Sequence, residues 1–90
     1  MSPFNPTRGE VIATLGGREV RLCVTLRALA MLEHHFGVTG LEALGARLKS
    51  LSAADLSVVL TALSLEDIAS LDIGFQEALD AVVAAFGALR

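Results

Sequence analysis

The chain has no tryptophan and no tyrosine, a single cysteine, two prolines and only seven basic residues among 90. Each scarcity closes off a class of protein. With Cys23 alone, no intramolecular disulfide can form, and the paired Cys and His spacings of a zinc site are missing. Seven Lys and Arg against ten Asp and Glu leave a net charge of −3, the wrong sign for a face that neutralises nucleic-acid phosphates. No apolar run approaches the roughly 18 residues that a bilayer span requires. The positive mean hydropathy therefore has to come from amphipathic helices with Leu- and Ala-rich faces, which points to a soluble chain. The first ten residues, MSPFNPTRGE, carry neither a charged n-region nor an apolar h-region, so no secretory signal is expected and a cytoplasmic setting is.

What is present is enough for one small domain. Ninety residues lie near the lower end of what buries a self-sufficient core without staples, and a deep substrate cleft would consume much of that core. The expected organisation is a single domain over 1–90, with a lead segment 1–9, a β-hairpin 10–24 and a helical part 25–90. Two segments alternating with period 2, Glu10–Leu15 and Glu19–Val24, flank Gly16-Gly17-Arg18, the chemistry of a tight turn with positive φ. The alternation predicts Val11, Ala13, Leu15, Val20, Leu22 and Val24 toward the core, with Glu19, Arg21 and Cys23 on the other side. Thr25 is an apt N-cap for a helix to Phe36, ended by Gly37. That helix is expected to turn Ala28, Leu29, Met31, Leu32, His35 and Phe36 to one broad side. A second helix, Leu41 to Leu51, spaces its leucines by threes and fours. Ser52-Ala-Ala-Asp55 opens a third, with Leu56, Val59, Leu60 and Leu63 inward. Ser64-Leu-Glu-Asp67 repeats the pattern and predicts a short helical turn ending near Leu71. The last helix, Gly74 to Leu89, capped by Asp72 or beginning close to it, is the best amphipathic segment. The fold class this predicts is α+β, a hairpin packed on about four helices.

Candidate chemistry is sparse. His34 and His35 are adjacent, so on a helix they point about 100° apart and cannot converge on one ion; one at the core edge and one in solvent is the expected arrangement. Asp55, Glu66 and Asp67 sit at offsets that suit first helical turns, where negative charge offsets the macrodipole. Leu15-Gly-Gly-Arg18 lacks the G-x-x-x-x-G-K-[ST] pattern of a phosphate loop, and no nucleophile elbow, C-x-x-C or H-E-x-x-H occurs. An enzyme would need Glu33, His35 and Cys23 to meet in one cleft. No catalytic residue, cofactor site or metal site is therefore assigned, and the chemistry left is binding. The last helix carries Phe75, Leu79, Val82, Val83, Phe86 and Leu89 with an Ala-rich flank of Ala78, Ala81, Ala84, Ala85 and Ala88, more apolar surface than a small core readily covers. Those six large residues are the expected partner-binding set. Charge is also polarised: residues 1–50 hold six basic and four acidic groups, residues 51–90 one and six.

The order Arg8-Gly-Glu-Val11, Thr25-Leu-Arg-Ala-Leu-Ala-Met-Leu-Glu-His-His-Phe-Gly-Val38, Leu41-Glu-Ala-Leu44, Ser52-Ala-Ala-Asp-Leu56 and Ala85-Phe-Gly87 resembles the small tail proteins of gene transfer agents and related siphophage-like prophages. Those proteins are assigned as tail assembly chaperones or tail-tube-associated proteins. The resemblance implies a non-enzymatic role in building a phage-type tail in the bacterial cytoplasm. Its implied partners are the tape-measure protein and the tail-tube protein, with a homo-oligomer also open. One departure is a shorter stretch between the Asp55 helix and the last helix. Two other readings remain: a structural component retained in the particle, and a small regulatory or ligand-binding module, which would need a pocket with convergent polar groups.

Overall fold

The computed structural model describes residues 9–88; all of the lead segment but Gly9, together with Leu89 and Arg90, lies outside them. Strands β1 (Glu10–Leu15) and β2 (Arg18–Cys23) pair antiparallel, with Leu15 opposite Arg18 and Glu10 opposite Cys23. Gly16 and Gly17 form the two-residue turn at φ of 59° and 81°. A two-residue hairpin needs positive φ at both central positions, which glycine adopts without a Cβ penalty. Four helices follow: α1 (Leu26–Phe36), α2 (Leu41–Leu48), α3 (Ala53–Leu63) and α4 (Phe75–Gly87). The fold is α+β, as the alternation and helical spacings predict.

The helix ends form as their side chains dictate. Thr25 Oγ1 accepts a hydrogen bond from Ala28 N–H at 3.0 Å and Ser52 Oγ one from Asp55 N–H at 3.1 Å, each supplying a first-turn donor with a partner the helix lacks. At the far end of α1, Gly37 turns left-handed at φ 66°. Its N–H donates to His34 O, and Val38 N–H to Glu33 O, the paired bonds of a Schellman motif.

The core gathers Leu15, Val20 and Leu22 from the hairpin, Ala28 and Leu32 from α1, Leu44 from α2, Leu56, Val59, Leu60 and Leu63 from α3, and Ala78, Ala81, Val82 and Ala85 from α4. Helix α3 packs on α1 and α4, α1 on α2, and α4 on β1. Three side chains depart from expectation. Met31 is half exposed and Leu41 more so, the fully buried residues being Ala28 and Leu32 in α1 and Leu44 in α2. Cys23 is only 9% exposed despite its outward position in the alternation.

Two elements end elsewhere than predicted. Helix α2 stops at Leu48, where Lys49 N–H and Ser50 N–H donate three residues back to Ala46 O and Arg47 O; the chain must leave the helix there for Ser52 to cap α3. Residues 64–74 are irregular, with no turn of helix after Ser64. Ser64 Oγ donates to Leu60 O, Ser64 forms a single antiparallel bridge with Leu22, and Leu65 N–H donates to Arg21 O at 3.0 Å. Glu66 Oε2 accepts from Arg21 N–H at 2.8 Å and Asp67 Oδ1 from Ala69 N–H. The acidic pair thus serves the open edge of β2 and a local turn, and caps no helix. Nor does Asp72 cap α4: the N-cap is Gly74, with no side-chain bond, and Glu77 lies in the first turn.

Candidate partner-binding groove

Helix α4 carries two apolar faces, and the fold buries the smaller-residue one. Ala78, Ala81, Val82 and Ala85 are buried against α3 and β1, while Leu79 and Phe86 are half-buried and Val83 is 64% exposed. Ala78, Ala81 and Ala85 of the alanine flank lie where the helix makes its close approach, while Ala84 is exposed. Small side chains let a helix axis lie nearer its neighbour, so the bulky row is left at the margin.

That margin faces α2. Between the two helices lies a groove of about 430 Å³, lined by Leu41, Gly45 and Leu48 of α2, Lys49 just beyond it, and Leu79, Val82, Val83 and Phe86 of α4. A Cβ placed on Gly45 would meet nothing within 4 Å, so the floor on the α2 side is open. Lys49 supplies the only charge in the lining. The arrangement offers apolar contact over the length of two helical turns with one cation at the rim, which suits an apolar helix face more than a polar small molecule.

Of the six residues expected to bind a partner, Leu79, Val82, Val83 and Phe86 come together in this groove. Phe75 does not; it is 53% exposed and borders a separate hollow beside α3. Leu89 lies outside the described residues. The α2 half of the groove escaped the sequence, where the leucines of the second helix stand out only by their spacing of threes and fours. Gly45, a poor helix former in a helix interior, was the available signal.

Of the residues that an enzyme would require, Glu33 and His35 hold separate partners. Glu33 Oε2 accepts from Gly40 N–H at the start of α2, and His35 Nε2 lies 3.2 Å from Asp55 Oδ1. Arg47 Nη2 lies 3.9 Å from the other Asp55 oxygen, and its guanidinium stacks 5.0 Å over the Phe36 ring. Asp55 thereby ties α1, α2 and α3 together. The His35 hydrogen bond, with help from the Ser52 hydroxyl and backbone, holds its carboxyl below the ordinary value, against an opposing desolvation. Among the described residues no cluster of three or more His, Cys, Asp or Glu is placed to hold a metal ion. No helix among them is long and apolar enough to cross a membrane.

No curated protein and no solved structure matches the chain. A family model does, described as phage tail tube protein, GTA-gp10, over residues 8–68. The match spans the hairpin, α1, α2, α3 and the strand-capping segment after α3, and stops before α4. It covers more than half of the chain, and the family is a structural one: this chain belongs to the phage tail tube protein family, GTA-gp10, of gene transfer agents and phage tails.

Proposed function

We propose that the protein is a tail assembly chaperone that holds an apolar helix of the tape-measure or tail-tube protein in the groove between α2 and α4 during assembly in the bacterial cytoplasm. The observation that carries this reading is the groove itself, apolar along both walls and formed by Leu79, Val82, Val83 and Phe86 opposite Leu41 and Leu48. A helix laid in such a groove buries its apolar stripe at i, i+3, i+4 and i+7 without any sequence-specific polar contact. That tolerance fits a long, repetitive partner.

The test is co-expression of the tagged protein with the tape-measure protein from the same tail gene cluster, followed by co-purification at moderate salt. Gly45→Phe fills the groove from its open floor, and Val83→Lys places a charge on its exposed wall. Both are expected to fold, by circular dichroism, and to lose the complex. A complex that survives both variants would refute the assignment of the groove.

The family description favours a second reading, a structural component that remains in the tail. Quantitative mass spectrometry of purified particles separates the two. A fixed copy number per particle is the outcome for a retained component, and absence from particles is the outcome for a chaperone.

A further inference from the structure

Helix α2 is thinly attached to the rest of the fold. It packs on α1, and on no other described element to a comparable extent, and Leu44 is its buried residue. The chain enters it through Gly37 and Gly40, both at positive φ (66° and 93°), where no Cβ restricts the backbone. It leaves through Lys49, Ser50 and Leu51, ahead of the Ser52 cap of α3. The two ends are fastened unequally. At the start, Gly40 N–H donates to Glu33 Oε2 at 2.6 Å. At the far end the tie is Arg47, whose Nη2 stands 3.9 Å from Asp55 Oδ2 and whose guanidinium lies 5.0 Å over the Phe36 ring. Water partly reaches these groups, so each contact is weak on its own.

Such a helix can turn about Leu44, its first turn held and its last turn released whenever Arg47 lets go. The groove sets the direction. Leu41, Gly45 and Leu48 recur at intervals of four and three and share one face, which looks across about 430 Å³ at Leu79, Val82, Val83 and Phe86. Leu41 is 55% exposed and Val83 64%; moving α2 toward α4 takes both from water, which favours closure. Gly45 permits the approach, because a Cβ there would meet nothing within 4 Å and without one the α2 backbone can come nearer still to the α4 side chains. The short link from Lys49 to Leu51 keeps the swing small.

We infer that α2 is a hinged wall of the groove. Pivoting on Leu44 and on Gly37–Gly40, its last turn leaves Asp55 and Phe36 and closes on α4 as a minor state, the open position with Arg47 latched being the resting one. An empty groove thereby shields its own walls, and an occupant, which binds the open state alone, loses apparent affinity with every change that weakens the latch. The inference concerns the groove of the proposed function, but the closing motion needs no partner, so the two can fail separately.

The test is disulfide trapping in the chain alone. Gly45→Cys with Val83→Cys puts one thiol on each wall. A disulfide brings two Cβ atoms to about 3.8 Å, closer than any α4 atom stands to that position in the open state, so the bond forms through closure. Mild oxidation with glutathione disulfide, followed by peptide mass spectrometry, measures the rate and separates this bridge from any that involves the buried Cys23. The expected result is a bridge between positions 45 and 83 in the folded chain, formed roughly tenfold faster when Arg47→Ala removes the latch, and at an intermediate rate with Arg47→Lys, which keeps the charge without the planar stack. Ala46→Cys with Val83→Cys is the control. Ala46 is exposed and about 100° around the helix from Gly45, so its pair bridges slowly if α2 swings as a helix and as fast as the first pair if α2 melts. Circular dichroism checks that each variant folds. No bridge between 45 and 83, a rate indifferent to Arg47→Ala, or a control pair equally fast would each overturn the inference, and none of these outcomes bears on co-purification with the tape-measure protein.

Discussion

The hairpin tip provides the most direct test of how the sheet is held on the helices. Gly16 and Gly17 both sit at positive φ, yet their surroundings differ: a Cβ on Gly16 would lie 2.9 Å from Asp72 O and 3.3 Å from Asp72 N, whereas one on Gly17 would meet nothing within 4 Å. Gly17→Ala therefore incurs only the left-handed backbone cost, about 1–2 kcal/mol. Gly16→Ala incurs the same cost and must also push the tip off the backbone at Asp72, which cannot yield as a flexible side chain would. That displacement strains the bond from Gly16 N–H to Glu77 Oε1, 2.9 Å long, worth about 0.5–1.5 kcal/mol. With overpacking of about 1–3 kcal/mol added, Gly16→Ala is expected to cost about 3–6 kcal/mol. Urea unfolding followed by circular dichroism measures both variants, with Gly17→Asn as a control whose side chain tolerates the left-handed region. Equal losses for Gly16→Ala and Gly17→Ala would refute the docking of the tip between β1 and the start of α4.

Other expectations follow from single contacts. Gly45→Ala should raise stability by about 0.5–1 kcal/mol, since it removes a helix-interior glycine and its Cβ enters open space; a destabilised variant in thermal unfolding would mean the groove floor is closed. Ala85→Leu, at a fully buried position between α4 and its neighbours, should cost about 1–3 kcal/mol by overpacking, while Ala84→Leu on the exposed side should change the melting temperature little. Asp55 is held below its ordinary value of 3.8, so its stabilisation is fully present above about pH 4 and lost as pH falls through the lower folded value. The stability gap between the protein and Asp55→Asn should accordingly close on acidification through that window, and a gap unchanged between pH 6 and pH 2.5 would argue against the His35–Asp55 contact.

The separation between what the sequence determined and what it left open follows the range of the interactions. Thr25 capping Ala28, Ser52 capping Asp55, Gly37 closing α1 and Gly16-Gly17 turning the hairpin are contacts within three or four residues. Such contacts carry their own geometry, and the alternation of Leu15, Val20 and Leu22 selects the inward face of the sheet without reference to the rest of the chain. Residues 64–67 show where that logic stops. Ser64-Leu-Glu-Asp67 has a local helix-start pattern, but the unpaired edge of β2, more than forty residues earlier in the chain, offers Arg21 N–H and O to Glu66 and Leu65, and satisfying a sheet edge outweighs starting one more turn of helix. Helix α4 shows it again. Either its alanine flank or its row of larger side chains could have faced inward by periodicity alone. Only the packing of α4 on α3 and β1, which buries Ala78, Ala81 and Ala85, decided that Leu79, Val83 and Phe86 would be left to face α2 across a groove.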